Sequence, residues 1–426
     1  MSRPTRHSYS REAIFLAVQL VTRAAVSFRG SSAVVELFID SLLQFRGIPA
    51  PNTVQSWLLR LGYHELTRPK EQADDWVWIV DHTIQLGRQK CLLIVGVRQA
   101  TWNLLERPLG LEDLTCILLD PVETSSGEIV FQQLEAATQQ VGIPRAVLND
   151  QGGDLTSGVA KFVEKHPETL ALNDIAHRAA NVLKRELLAD PRWKEFSKLC
   201  GQVQPKVKQT ELSHLAPPTQ KLKGRYMNLD PLISWGEKML TLLDTPVEQR
   251  PQDQDLSRLD EKFDWLRKFR DAQGEWNEIL VVKDTVLELT RVEGYHSEAA
   301  SRLQARLEEI PQGAAAQRMA EALVEFVKSK SEGLKPGESV PASSEVIESL
   351  IGKGKRMQGQ HSRGGFTKMI LGMAAAVGHR TLDSVEESLN AVRNIDLKMW
   401  VQEHLGTSLT AQRRLALPSV AGTKTG

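Results

Sequence analysis

The chain has 426 residues, 41% of them hydrophobic, with 53 Lys and Arg balanced by 53 Asp and Glu. That length supports two to four cores, and the neutral total excludes a protein that coats a polyanion along its whole surface. Cys91, Cys116 and Cys200 stand far apart, which excludes a disulfide framework and a cysteine-based zinc site, and no run reaches the ~18 apolar residues that span a bilayer. A soluble, cytoplasmic protein is expected, and Ala13–Val21 reads as an amphipathic helix rather than a secretion signal because Gln19 and Arg23 break its apolar run. The charge is unevenly spread. Residues 1–70 carry nine basic against four acidic side chains, and the stretch after Glu348 carries eleven against five. Two basic ends around an acidic middle suit a protein that grips a polyanion at particular places.

In chain order, residues 13–27 and 31–45 show apolar side chains at helical spacing, separated by Arg29-Gly30-Ser31-Ser32. The segment Gly47–Asn52 breaks the pattern, and a third short helix, Thr53–Leu61, follows. Its Trp57, Leu58 and Leu61 form one side, while Asn52, Thr53, Gln55 and Arg60 form the other. Residues 1–72 are therefore expected to be a helical domain resembling a helix-turn-helix, with those four polar residues facing DNA; a plain helical bundle is the alternative.

Between residues 73 and 175 the period changes. Val77–Asp81, Cys91–Val97, Leu114–Leu119, Ala146–Leu148 and Leu170–Leu172 read as strands, with helices at Gly127–Val141 and Thr156–Lys165. The order β-β-β-α-β-α-β, opening with an antiparallel meander, predicts an α/β fold with a mixed sheet and an RNase H-like core. A Rossmann sheet is disfavoured, since no Gly-x-Gly-x-x-Gly follows the first strand. Residues 176–340 read as an all-helical insertion, broken at Ala216-Pro217-Pro218 and with a disordered patch at Arg250–Asp255. A Gly/Pro/Ser-rich linker, Gly333–Ser344, leads to a helix at Glu345–Arg356. Residues 341–416 are expected to hold the final helices of the core, and residues 417–426 a disordered tail.

Asp81 and Asp150 each end an apolar strand, the first and the fourth, which are neighbours in such a sheet. Two close carboxylates repel unless a cation lies between them, and magnesium or manganese, bound through one or two carboxylates plus phosphate oxygens, resolves the conflict. A third acid is needed on a later helix, and Glu348, Glu345 and Glu186 are the candidates. Just past the proposed acid, Lys353, Lys355, Arg356 and Arg363 would offset its negative field toward DNA phosphates; a solvated charged face is the plainer reading.

Two segments carry a family resemblance. Asn173-Asp174-Ile175-Ala176-His177 resembles the Cys/Asp-x-x-His signature of DDE transposases with an all-helical insertion, the hAT, P-element and Mutator-like groups and their bacterial insertion-sequence relatives. Ser344–Leu350 resembles the segment bearing their last acid, which implies Glu348 as the third catalytic and metal-binding residue beside Asp81 and Asp150, with Asp174 and His177 supporting. By the same resemblance Glu186 is an ordinary exposed helix residue. The implied activity is metal-dependent phosphodiester hydrolysis and strand transfer at transposon ends, by a homodimer or larger assembly acting on DNA. A silent DNA-binding derivative and a host nuclease or resolvase on the same fold are the rivals.

Overall fold

The computed structural model describes all residues except 1–2, 6, 40–46, 87–88, 220–228, 252–254, 360–366, 407–412, 414 and 418–426. The chain divides into two compact units, Met1–Asn173 with Ser343–Gly426, and Asp174–Ala342. The first begins with α1 (Arg11–Thr22), α2 (Phe28–Ile39) and α3 (Pro51–Thr67), then β1 (Trp76–Leu86), β2 (Gln89–Arg98), α4 (Gln99–Trp102), β3 (Thr115–Val122), α5 (Gly127–Val141), β4 (Ala146–Asn149), α6 (Gly153–Lys165) and β5 (Leu170–Asn173). The second holds α7 (Ile175–Ala189), α8 (Pro191–Val207), α9 (Leu229–Asp244), α10 (Leu259–Phe263), α11 (Arg270–Glu293), β6 (Tyr295–His296), α12 (Ala299–Glu308), α13 (Ala314–Ser331) and β7 (Ser339–Val340). The chain then returns to the first unit with α14 (Glu345–Gly359), α15 (Leu371–Ala376), α16 (Leu382–Ala391) and α17 (Asn394–His404). Among the described residues no helix is long and apolar enough to cross a membrane.

The sheet has the order β3-β2-β1-β4-β5. The first three strands form the antiparallel meander expected from the sequence, and β4 and β5 run parallel to β1. Strand alternation sorts the side chains onto two faces. Trp76, Trp78 and Val80 of β1, with Leu92, Ile94 and Val147, pack against Val130 and Leu134 of α5 and Val159 and Phe162 of α6. Val77 and Ile79 are equally buried on the other face, where α3 and α15 pack on β3 and α14 packs on β1.

The third helix is longer than its sequence pattern suggests. Pro51, which reads as a breaker, stands at the first helical position, where its missing N–H costs nothing, and α3 continues to Thr67. Most of it is core: Val54, Trp57, Leu58, Leu59, Leu61 and Leu66 are buried. Residues 1–72 thus cluster with the sheet and the final helices in one unit. A Cβ on Gly62 would lie 1.9 Å from the carbonyl oxygen of Leu371, so α3 and α15 touch backbone to backbone.

Beside that contact, Glu65 is 3% exposed and bonds Arg68 at 2.9 Å and Arg380 at 3.3 Å, while Arg380 also donates to the Ala374 carbonyl. Removing one partner of a buried pair strands the other's charge, at a cost of about 3–5 kcal/mol. Glu65→Gln is expected to destabilise the protein by that amount in urea denaturation, and a change under about 0.5 kcal/mol would show the pair to be solvent-screened.

The second unit is built on aromatic contacts. Phe196 of α8 packs on Phe269 and on Trp276 of α11, and Trp276 meets Trp193 edge-on at 5.0 Å and donates to Asp190 at 2.9 Å. Trp235 packs on Phe196 and Phe263 and donates to the Leu215 carbonyl. Arg250, read as part of a disordered patch, is 8% exposed and bonds Asp260 and the Thr245 and Leu243 carbonyls. Arg225-Tyr226-Met227-Asn228 lies outside the described residues.

Candidate active site

The parallel ladder between β1 and β4 ends with Val80 opposite Asn149, which puts Asp81 and Asp150 at the next position of the two neighbouring strands. Val80 belongs to the α5/α6 face, so strand alternation assigns Asp81, like Ile79, to the other face, while Asp150 follows the last residue of β4 and its charge acts on His82. Both aspartates are partly buried.

The turn after β4 holds Asp150 by a ladder of short bonds. Buried Asn149 accepts from the Gln151 N–H at 3.0 Å and donates to the Leu172 carbonyl, and Asp150 Oδ1 accepts from the Gly152 N–H at 3.0 Å. Gln151 sits at φ 69°, a conformation that costs a non-glycine residue about 1 kcal/mol or more and persists where the surroundings over-determine it. At Gly153, where α6 starts, an added Cβ would have no heavy atom within 4 Å, so packing does not demand this glycine and its surroundings are open.

On α14 the stripe Val346, Ile347, Leu350, Ile351, Gly354 and Met357 faces the core. Glu345 and Glu348 stand in the first turn, with Glu348, Lys355 and Arg356 exposed. Lys353, expected to meet phosphate, instead donates to the Thr22 carbonyl at 2.9 Å, and its partial burial lowers its pKa. Among the described residues no group of three or more His, Cys, Asp or Glu side chains is arranged to hold a metal ion. The Asp81–Asp150 pair is nonetheless a hard oxygen donor set, and magnesium takes one or two carboxylates and completes its shell with water and phosphate. Among the described residues no closed three-acid cage is formed.

The other predicted residues fall in several places. Asp174 and His177 belong to the second unit, where fully buried Asp174 caps α7 by accepting from the His177 N–H at 3.0 Å. Burial first, and Asp174 second, push the Tyr295 hydroxyl well above its ordinary range. Glu186, expected to be exposed, is 6% exposed and pairs with Arg185 and Arg318, both at 2.8 Å. Arg60 is turned inward, donating to the Val392 carbonyl at 2.7 Å and to that of Leu389. Asn52 is exposed, Thr53 and Gln55 partly so, and Arg363 lies outside the described residues.

Sequence reasoning missed a cluster on the opposite side of the sheet rim. Lys90 Nζ lies 2.7 Å from Asp154 Oδ2, His82 Nδ1 is 3.8 Å from the same oxygen, and His82 Nε2 is 3.2 Å from Ser125 Oγ. Burial alone would raise the Asp154 pKa, but bonds from Lys90 and Ser125 overcome it and hold the carboxyl at about 2; burial lowers that of His82. The available signal was adjacency: His82 follows Asp81 directly, and Asp154 stands one helical turn past Asp150.

No family model matches the chain, and no curated protein is a significant match. Among solved structures the chain is similar to the Drosophila P element transposase strand transfer complex, with a TM-score of 0.42 and 10% identity, over 87% of this chain and 92% of that one. At that score and identity the likeness assigns neither residues nor an activity to this chain.

Proposed function

We propose that this chain is a DNA transposase of the RNase H-like, metal-dependent type, with Asp81, Asp150 and Glu348 as its catalytic acids. The observation that supports the reading is the register of the parallel β1–β4 ladder, whose last pair, Val80 with Asn149, brings Asp81 in the middle of β1 beside Asp150 just past the end of β4. The order β3-β2-β1-β4-β5 with its antiparallel meander is the layout on which such acids are borne. Glu348 is favoured as the third because it lies in the first turn of the helix packed on β1, whereas Glu186 is already paired with two arginines. Glu345, three residues earlier in the same turn, is the alternative.

Bound magnesium or manganese would supply positive charge to the attacking and leaving oxygens of a phosphodiester. Asp81 and Asp150 would hold it, with the Gly152 N–H fixing the orientation of the Asp150 carboxylate. Exposed Lys355 and Arg356 would offset the acids' repulsion of the DNA backbone. Asn52 and Gln55 line a cavity of about 490 Å³ with Lys368 and Lys398, together with Leu59, Leu397 and Val401, and its two lysines with no carboxylate in the lining would suit a DNA phosphate. The reaction would be hydrolysis at a transposon end followed by strand transfer, performed by a homodimer or larger assembly.

Nicking of supercoiled plasmid in magnesium tests the reading. Wild type is expected to convert it to open circles and Asp81→Ala to leave it intact; equal products from both would remove the enzymatic assignment. Cleavage confined to DNA ends flanking the gene would separate a transposase from a general nuclease.

A further inference from the structure

The four-residue cluster at the sheet rim joins four separate pieces of chain: His82 on β1, Lys90 on β2, Ser125 in the loop before α5, and Asp154 in the first turn of α6. Two of these pieces also bear the aspartates described above. His82 is bonded into the chain next to Asp81 and, one residue out of phase along the strand, points to the opposite face. Asp154 is tied to Asp150 through the strained Gln151 turn, whose Gly152 N–H donates to Asp150. Each acid of the pair is therefore one short covalent link from a member of the cluster.

Like charges brought together push apart, and the β1–β4 ladder ends at Val80 and Asn149. The cluster adds a tie of its own. Lys90 and His82 both reach Asp154 Oδ2, and Ser125 bonds both His82 and Asp154, so the rim of β1 and β2 is fastened to the start of α6. The arrangement superficially has the membership of a Ser-His-Asp nucleophile relay. That chemistry does not suit it: the Asp154 oxygen nearest His82 is already held by Lys90 at 2.7 Å, and Ser125 is bonded to Asp154 as well as to the imidazole. It is a closed ion-pair network.

We infer that Asp154 and Lys90, with His82 and Ser125, are positioning residues that hold the Asp81 and Asp150 carboxylates at cation-binding separation. The inference rests on the metal-binding reading of that pair and adds the residues that keep it assembled. Outer residues of this kind typically contribute 10–100-fold to metal affinity or activity.

The test uses the full chain and two readouts, manganese binding by titration calorimetry and plasmid nicking, on wild type, Asp154→Asn, Lys90→Met, Lys90→Arg and Asp81→Asn. Asp154→Asn and Lys90→Met are expected to weaken manganese binding about 10–100-fold, with nicking recovered at high manganese, while Lys90→Arg stays within about threefold of wild type. Circular dichroism melts of each variant separate this from loss of fold. Unchanged manganese affinity in Asp154→Asn and Lys90→Met overturns the proposal, as does a weakening that only follows the folded fraction. If those two bind normally while Asp81→Asn does not, the positioning role alone is lost. If Asp81→Asn binds manganese and nicks like wild type, the reading of the aspartate pair fails and this proposal with it.

Discussion

Asp150→Asn is expected to lower plasmid nicking by more than about 100-fold, above the range for residues that act through a ligand, while leaving the melting temperature unchanged or slightly raised. Asparagine keeps the Oδ1 that accepts from the Gly152 N–H, so the turn after β4 stays closed. What disappears is a negative charge next to Asp81 in the ladder register, and with it a repulsion between like charges. The two readouts therefore move apart, which a purely structural aspartate would not produce: removing an ionised group that stabilises the fold lowers both. Scanning calorimetry beside the nicking assay decides it, and a clear drop in melting temperature would show Asp150 to be a turn residue.

Gly62→Ala is expected to be the most damaging single methyl in the first unit. The added carbon would lie 1.9 Å from the Leu371 carbonyl oxygen and 2.8 Å from its carbon, atoms of a backbone that no side-chain rotation can move aside. Overpacking a core typically costs 1–3 kcal/mol, and a clash with main chain belongs at or beyond the upper end. About 3 kcal/mol corresponds to a loss of roughly 10 °C in a domain of this size class. Gly274→Ala, where an added carbon meets nothing within 4 Å, serves as the control and is expected to melt like wild type. Equal melting of the two would mean that α3 and α15 separate easily.

The sheet was readable because its strands are uninterrupted runs of bulky apolar residues such as Val77–Val80 and Leu92–Val95, buried on both faces. That β1 and β4 are neighbours followed from strand order, but β1 runs past Asp81 to Leu86, because the strand continues through the polar stretch after the apolar run that marks it in the sequence. Side-chain roles were less accessible. Arg60 and Lys353 read as DNA contacts because a basic residue on a helix gives no sign of the carbonyl it will find, here Val392 and Thr22, each more than 300 positions away. Glu186 read as exposed because its partner Arg318 lies 132 residues along the chain. Pro51 was taken for a helix breaker, although the first helical turn accepts proline, and that error shortened α3 and hid its role as a core helix. The two-residue strands Tyr295–His296 and Ser339–Val340 carry too little pattern to be seen before their pairing is known.

The backbone contact between Gly62 and Leu371 also has a consequence for biosynthesis. A ribosome that has just completed β5 must still translate nearly two hundred residues before Leu371 exists. At about 5–20 residues per second, the nascent sheet and its first three helices wait on the order of ten to forty seconds with one apolar flank uncovered. During that interval the segment Asp174–Ala342 emerges as a self-contained body. Holdase chaperones are expected to engage ribosome-bound chains stalled near residue 340 and to release those that extend past α15.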